Sequence, residues 1–427
     1  MKIPIVWPAV ILAVLIGLCL GDHRKLRRLS DRHAELTATL ANRTDSSSAG
    51  RIPRDSRAHR GAQTLAAECL ELGKNPEVRS GMPREQRREA ELRKMELLNR
   101  LDSMNPAEWE EFLAEIRTTA EPGAKLPQFF LYGALQELSE DHPKIVLDFF
   151  SQTLDGLAEK STEEGTVSVA LGRWIGDDPA AALKWMESNP RFMTDEVKQK
   201  VVCGAAANDP KLAFKLIGEL GCKRPEYLAS FAAFSARTAG VRTDMVAALR
   251  DYIPSIPEEK LRKRTQHDAF ENLAGGIVAV GFENGLKWIN ETGLTHEELA
   301  GFADGLTSHV KGLETGRWLE WAGTALQGNE RDETVKVMMF YWGGADPSGA
   351  ESWLAGTKES PQRDLAIQGY VDAVSSSEPE VAIEWALALP TGKPREGAFK
   401  LIYKKWPRHD AAQKAAADAF AEEHGIK

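Results

Sequence analysis

The sequence lacks the short motifs that usually assign a catalytic reaction or a metal site. Its four cysteines include no CxxC pair, and none of its nine histidines stands four residues from another, so the common zinc and thiol-redox patterns are absent. No GxSxG motif marks a nucleophilic serine. We therefore expect no catalytic residue, no metal and no cofactor, and we predict that the protein is not an enzyme.

Two stretches approach such motifs without completing them. Residues 276–281 have the glycine spacing of a phosphate-binding loop, but no Lys-Ser/Thr pair follows them, so we interpret them as the end of a helix. Residues 296–298 begin like the HExxH helix of a zinc protease, but Ala300 occupies the place of the second histidine. Zinc is therefore not predicted at this position either.

An excess of basic residues is also missing from the main body of the chain. From residue 101 onward, 35 Lys and Arg stand against 51 Asp and Glu, whereas residues 22–100 have 18 against 12. Because proteins bind nucleic acid through clustered Lys and Arg that contact phosphates, we do not expect nucleic acid as a partner. Alternating β-branched residues are scarce, and the abundance of Ala, Leu, Glu and Lys predicts a helical body.

The N-terminal residues 1–21 form the chain's long apolar run. Ile3–Leu20 is almost entirely apolar, which is long enough for a helix to span a bilayer. We predict an uncleaved single-pass anchor in the cell membrane, with export after cleavage near Gly21 as the alternative. The basic residues after the run favour a cytoplasmic body, but the Lys2-led layout resembles a signal sequence. We therefore predict an extracytoplasmic main body.

Three segments are predicted between the anchor and the main body. Residues 22–41 form a juxtamembrane helix with a possible short coiled coil, and a solvated helix is the alternative. Residues 42–62 are rich in Ser, Arg, Gly and Asp and predict a disordered linker. Residues 63–104 are a helical lead-in. A homodimer could form through the apolar seam at Leu26, Leu29, Leu36 and Leu40.

A repeated turn, typically Asp or Glu followed by Pro, divides residues 105–427 into similar units. Asn105-Pro106 opens this region with a helix cap. Taking the turn residue as position zero, neighbouring units are 31 to 37 residues apart, a period typical of helix-pair arrays. The zero positions are His142, Asp178, Asp209, Asp244, Gly281, Glu314, Asp346, Glu378 and Asp410.

The same register predicts two helices in each unit. Apolar residues stand 11, 8 and 4 positions before zero, on one face of a first helix. The turn residue caps a second helix, which has a small residue at position four and usually Trp at position seven. Eight of the 11 tryptophans fall at the −4 or +7 positions, so we interpret them as interhelix core. Trp109 and Trp318 lie outside both positions, and we predict them as exposed contacts with a partner.

Cys203 and Cys222 are spaced in a way that invites a disulfide. The repeat register staggers them along two antiparallel helices by on the order of 10 Å. A disulfide requires Cα atoms within about 7 Å of each other. We therefore predict two unbridged cysteines that pack as small, buried apolar residues.

In period and helix-pair organisation, residues 105–427 resemble tetratricopeptide-type α-solenoids. They differ in having the Asp-Pro turn between the two helices of a unit, and the Trp-Leu-Gly-Tyr pattern of that family is missing. The chain also resembles uncharacterised membrane-anchored helical-repeat proteins of bacteria. The fold expected is all-α, a right-handed α-solenoid of about nine helix-pair repeats with an N-terminal transmembrane helix.

This architecture predicts a membrane-tethered scaffold of the bacterial cell envelope that binds a protein or peptide partner. One alternative is a cell-envelope enzyme or glycan-binding factor that uses a groove in the superhelix. Clustered carboxylates with perturbed pKa values in a deep cleft would favour that alternative. Another alternative is a structural homo-oligomer held by the seam of residues 26–40.

Overall fold

A computed structural model of the protein describes residues 54–74, 83–121, 124–127, 129–153, 158–310, 312 and 314–426. Within these residues the fold is all-α, as predicted, with 21 α-helices and no strand. The first ten helices are α1 Arg54–Lys74, α2 Arg84–Asp102, α3 Pro106–Thr119, α4 Leu135–Asp141, α5 Pro143–Gln152, α6 Lys160–Asp177, α7 Pro179–Ser188, α8 Asp195–Ala206, α9 Pro210–Glu219 and α10 Pro225–Ala233.

The remaining helices continue to the C-terminus. They are α11 Ala239–Tyr252, α12 Glu259–Val278, α13 Phe282–Thr292, α14 His296–His309, α15 Thr315–Ala325, α16 Gly328–Ala345, α17 Pro347–Gly356, α18 Pro361–Val374, α19 Pro379–Leu387, α20 Lys393–Lys405 and α21 Ala411–Glu423. A π-helical turn, Phe130–Ala134, leads into α4.

The chain divides into two compact units, Met1–Gly61 and Ala62–Lys427, and the second unit is described below. The predicted membrane anchor and the seam of residues 26–40 lie outside the described residues. α1 begins at Arg54, which is inside the predicted linker of residues 42–62. In the part of the chain that the structure describes, no helix combines the length and apolarity that crossing a membrane requires.

From α4 onward the helices alternate in nine successive pairs, here called first helices (α4, α6 and so on to α20) and second helices (α5 to α21). Each first helix packs against the first helix of the next pair. The main contacts of these helices are with elements one or two places along the chain. Such local packing is what a repeat needs when one unit is too small to bury its own apolar face.

Glycine allows several neighbouring first helices to touch through their backbones. A β-carbon at Gly204 of α8 would lie 1.8 Å from the carbonyl oxygen of Gly172 in α6. A β-carbon at Gly305 of α14 would lie 2.3 Å from the carbonyl oxygen of Glu271 in α12. One at Gly369 of α18 would lie 2.3 Å from the carbonyl oxygen of Lys336 in α16. Any side chain at these positions would force the two helices apart.

Acidic residues cap several second helices as predicted. The carboxylate of Asp178 accepts a hydrogen bond from the Ala181 amide at 3.1 Å. The corresponding bonds are present at Asp209, Asp346 and Asp410. Their helices begin at the next residue, so the aspartate satisfies an amide that has no partner inside the helix.

The register fails in the unit assigned to Asp244. This residue lies inside α11, which begins at Ala239. The hydroxyl of Thr238 caps the helix instead by accepting from the Val241 amide at 3.3 Å. The preceding α10 has nine residues, so the turn comes six residues earlier than the period predicts. No proline follows Asp244 to stop the preceding helix.

The predicted core positions are confirmed for the tryptophans and for the small residues at position four. Buried tryptophans at the −4 and +7 positions are Trp185, Trp288, Trp321, Trp342 and Trp406. The remaining three, Trp174, Trp353 and Trp385, are half-buried and pack against the same core. Small residues at position four are also buried, as at Ala182, Ala213, Ala350 and Ala382. The tryptophans therefore serve mainly to join helices.

In the helical lead-in, one face of α2 is packed and the other is exposed. Leu97 and Leu101, four residues apart, are buried, whereas Leu92 and Met95 are exposed. Asn105 and Glu108 form a complete capping box at the start of α3. The Asn105 side-chain oxygen accepts a hydrogen bond from the Glu108 amide, and the Glu108 carboxylate accepts one from the Asn105 amide.

Candidate functional site

Trp109, predicted as an exposed contact, is buried in the core, with 6% of its surface accessible. Its ring stacks on Phe130 with centroids 6.4 Å apart and meets the edge of Phe112 at 5.7 Å. It joins α3 to the π-helical turn of the first pair. An aromatic residue outside the repeat register therefore packs here because α3 is an extra helix in front of the array.

Trp318 is also buried, with 1% of its surface accessible, so the prediction of an exposed contact is wrong for it as well. It occupies the position where other second helices have a small residue. Gly285 of α13 makes the exchange possible, because a β-carbon there would lie 2.9 Å from the Trp318 ring. Phe282 and Trp321 complete its surroundings at ring distances of 4.8 and 5.8 Å.

The aromatic side chains that are exposed belong to the first helices. Large exposed apolar patches on proteins often mark interaction sites, whereas single exposed residues are common. Among the described residues, the exposed aromatics lie in a first helix or directly beside one, and they are Tyr132, Tyr227, Phe231, Phe234 and Tyr341. None of them belongs to a second helix. One face of the repeat thus has a different surface chemistry from the other.

Three of these rings form a row along α10, which we call the aromatic ladder (Tyr227, Phe231 and Phe234). Successive ring centroids are 5.9 and 6.5 Å apart, and the planes are inclined by 13° and 21°. The Arg224 guanidinium lies over the Tyr227 ring at 4.8 Å. Parallel exposed rings offer flat apolar surface with little conformational freedom to lose, which suits them to binding.

The two ends of the ladder open into cavities. Tyr227 lines a cavity of about 530 Å³ between α8 and α10 whose walls carry charges of both signs, including an ion pair of 2.6 Å between Lys223 and Asp195. Phe234 lines a second cavity of about 350 Å³, here called the arginine cavity. The walls of the arginine cavity include Phe234, Arg237, Arg242, Asn272, Gly276 and His309.

A third cavity of about 560 Å³ lies between the first helices α16, α18 and α20. Tyr341 and Phe340 form its aromatic wall, with ring centroids 5.5 Å apart. The Lys405 ammonium lies 5.3 Å from the Phe340 ring centroid and 2.5 Å from a carboxylate oxygen of Asp372. This C-terminal cavity therefore combines apolar surface with a partly buried ion pair.

Two carboxylic acids of the described residues, Glu259 and Asp364, have shifted pKa values. Burial raises the pKa of Asp364, and a hydrogen bond from Lys263 lowers the pKa of Glu259. Neither residue lines one of the three cavities. Within the described residues, no group of three or more His, Cys, Asp and Glu side chains is arranged to hold a metal ion.

The cysteines of the repeat are unbridged, as predicted. Cys203 and Cys222 are both free and half-buried rather than fully buried. Burial raises the pKa of both thiols, so they are poor nucleophiles. Cys222 lines the cavity between α8 and α10.

The sequence did not predict the exposed aromatic residues, because tryptophan is the aromatic residue that recurs in the repeat register. Tyr341 directly precedes Trp342, so it points away from the buried stripe of α16 by the period of the helix. A Tyr or Phe at a first-helix position that should face solvent was the usable signal. Arg242 gave no comparable signal, because its burial depends on the contact between α11 and α12.

Comparison of the chain with known protein families, with curated proteins and with solved structures found no match in any of the three.

Proposed function

We propose that the protein is a helix-pair repeat scaffold that binds a protein or an extended peptide on the surface formed by its first helices. The observation that carries this proposal is that the exposed aromatic rings lie in first helices or directly beside them. The three cavities, lined largely by the same helices, support it. Extended peptides bind other helical repeats along such a continuous surface.

The proposed arrangement of the pairs is a right-handed solenoid similar to the tetratricopeptide type. Its support is the period of 31 to 37 residues and the succession of contacts between neighbouring first helices. The apolar segment Ile3–Leu20 is proposed to hold the scaffold at a bacterial cell membrane, with its main body outside the cytoplasm. Removing residues 1–21 should release the protein from the membrane fraction, and retention there would contradict the anchor.

Site-specific photocrosslinking in membranes tests the proposed surface. A benzophenone amino acid placed at Phe234 or Tyr341 should give discrete crosslinked products, because both side chains are exposed on the first-helix surface. Glu291 of α13 and Ser352 of α17 are matched controls, since both are exposed on second helices. Equal crosslinking at all four positions would contradict a partner surface confined to the first helices.

The predicted homodimer requires a separate measurement. Deleting residues 22–41 should lower the mass of the detergent-solubilised protein if Leu26, Leu29, Leu36 and Leu40 form a coiled-coil seam. Light scattering on the full chain and the deletion variant measures that mass. An unchanged mass would remove the seam as the source of association and leave the scaffold proposal intact.

A further inference from the structure

Arg242 is a buried arginine without a carboxylate partner. Its side chain lies in α11, and 3% of the residue's surface is accessible. Nη2 donates a hydrogen bond to the carbonyl oxygen of Arg237 at 2.8 Å, whereas Nε has no acceptor. Within the described part of the chain, the guanidinium has no other hydrogen-bond acceptor and no carboxylate partner. Buried charges in proteins are normally paired, because an unpaired charge is strongly disfavoured away from water.

The arginine cavity around this side chain is basic. Its walls contain Arg237, Arg242 and His309 but no aspartate or glutamate. Arg237 and His309 are exposed, so they stand at the accessible part of the cavity. Burial lowers the pKa of Arg242, as expected where no negative charge compensates the guanidinium. The cavity therefore has positive charge and donor groups without their usual partners.

Two consecutive glycines of α12 hold this arrangement open. A β-carbon at Gly276 would lie 2.7 Å from Arg242 Nε, and one at Gly275 would lie 2.9 Å from His309 Nε2. Both basic side chains thus rest directly against the helix backbone. Glycine inside a helix is unfavourable compared with alanine. Its presence twice at this point allows Arg242 and His309 to approach the same cavity.

We propose that the arginine cavity binds the carboxylate of an acidic peptide that lies along the aromatic ladder. The proposal rests on the peptide-binding function proposed above and adds the chemistry of the ligand. Phe234 ends the ladder and also lines the cavity, so an apolar side chain on the ladder and a neighbouring acidic group would be bound together. A carboxylate matches the planar fork of a guanidinium and would supply the negative charge that Arg242 lacks.

The test compares peptides that differ in their carboxylate. The probe is a fluorescein-labelled, C-terminally amidated peptide with three Phe-Gly-Glu repeats, and its analogue carries Gln in place of each Glu. Fluorescence anisotropy with the purified full chain in detergent measures both affinities. We expect the Glu peptide to bind about ten- to a hundredfold more tightly, since hydrogen bonds to charged groups are stronger than neutral ones. A Gln peptide with a free C-terminal carboxylate distinguishes a chain terminus from an acidic side chain, and tight binding of either form supports the proposal.

Substitutions in the protein test whether the arginine cavity causes the preference for the Glu peptide. Arg242→Gln should abolish the difference between the Glu and Gln peptides while leaving the melting temperature equal or higher, because it removes an unpaired buried charge. Arg264→Gln is the matched control, because Arg264 of α12 is an exposed arginine outside the cavity, and it should leave the ratio unchanged. If Arg242→Gln does not fold, Gly276→Ala retains the charge but displaces the guanidinium, and it should also reduce the ratio.

Three outcomes would overturn the proposal. The first is equal binding of the Glu and Gln peptides to the unmodified protein, and the second is an unchanged ratio in folded Arg242→Gln. The third is displacement of the Glu peptide by inorganic phosphate at a lower concentration than by acetate, which would assign the cavity to phosphate. Phe234→Ala separates these results from failure of the peptide-binding function, because it should weaken both peptides equally. Absence of binding by either peptide would count against both proposals.

Discussion

Two contacts of the same helix, α12, show how the repeat makes either a closed interface or a cavity. At one of them, Gly305 of α14 brings the backbones of α12 and α14 together. At the other, near the C-terminal end of α12, Arg242, Phe234 and His309 of α14 surround the arginine cavity next to Gly275 and Gly276. Glycine in the neighbouring helix closes the contact, whereas glycine in α12 itself makes space for large side chains. The difference shows that the position of small residues decides where this repeat can accept a ligand.

Breaking the closed contact should have the largest effect on stability. Gly305→Ala would place a β-carbon 2.3 Å from the Glu271 carbonyl oxygen and 2.6 Å from the Ala274 β-carbon. Neither atom can move without shifting α12, so we expect a loss of about 3 kcal/mol in the free energy of unfolding. Urea denaturation followed by circular dichroism measures this loss.

Gly275→Ala is the control at the arginine cavity. Its new β-carbon would meet the end of the His309 ring at 2.9 Å, and that exposed side chain can rotate away. The gain in helix propensity of about 0.5–1 kcal/mol should offset most of the remaining strain. Similar losses for Gly275→Ala and Gly305→Ala would show that the closed contact and the cavity do not differ as described.

A second strong effect is expected where a partly buried ion pair joins α11 to α14. Arg250 of α11 donates from Nε and Nη2 to the two carboxylate oxygens of Glu298, at 2.8 and 2.7 Å, and the Thr295 amide donates to the same carboxylate at 2.8 Å. The Glu298 side chain is 4% exposed and that of Arg250 is 40% exposed. Because one partner is partly solvated, Glu298→Gln should cost about 2 kcal/mol in unfolding free energy.

An exposed pair on the same helix array provides the comparison. In α12, the Lys263 ammonium lies 2.7 Å from a carboxylate oxygen of Glu259, and both side chains are well exposed. Glu259→Gln should leave the urea midpoint unchanged within error, because exposed ion pairs contribute little. If Glu259→Gln and Glu298→Gln gave equal shifts in the urea midpoint, burial of the Arg250–Glu298 pair would not be the reason for its strength.

Helix caps at the corners should give an intermediate effect. Asp346 accepts a hydrogen bond from the Gly349 amide at 3.0 Å, whereas Glu378 at the equivalent corner forms no side-chain cap. We expect Asp346→Ala to cost about 1 kcal/mol and Glu378→Ala to have no detectable effect. Thermal unfolding of both variants measures the difference, which equal shifts would contradict.

These corners also show what the sequence can predict. Asp178, Asp209, Asp346 and Asp410 cap their helices as expected because a cap is a local interaction within four residues. The prediction at Asp244 was wrong because Thr238 caps the helix six residues earlier. A fixed period does not reveal that the preceding first helix is short. Local signals therefore predict helix ends more reliably than an average spacing does.

Prediction of the candidate site was limited by contacts between distant residues. Trp318 is buried because Gly285, 33 positions earlier, leaves room for its ring. Arg242 is buried because Gly276, 34 positions later, lets its guanidinium approach α12. Each burial depends on a pair of residues in different units, so neither residue could be placed from its own helix alone. The exposure of Tyr341, in contrast, follows from its place next to the buried Trp342 in the helical period.

The smallest predicted effect is a pH dependence at the closed contact of α12 and α14. His267 Nε2 lies 3.1 Å from a carboxylate oxygen of Asp304, and this hydrogen bond raises the pKa of His267. The added stability is therefore fully present below the unfolded histidine pKa of about 6.5, and it is lost as pH rises through the higher folded value. Both side chains are substantially exposed, so we expect a change of a few tenths of a kcal/mol. Asp304→Asn should flatten the urea midpoint between pH 5.5 and 8 relative to the unmodified protein, and identical pH profiles would exclude this contact as their source.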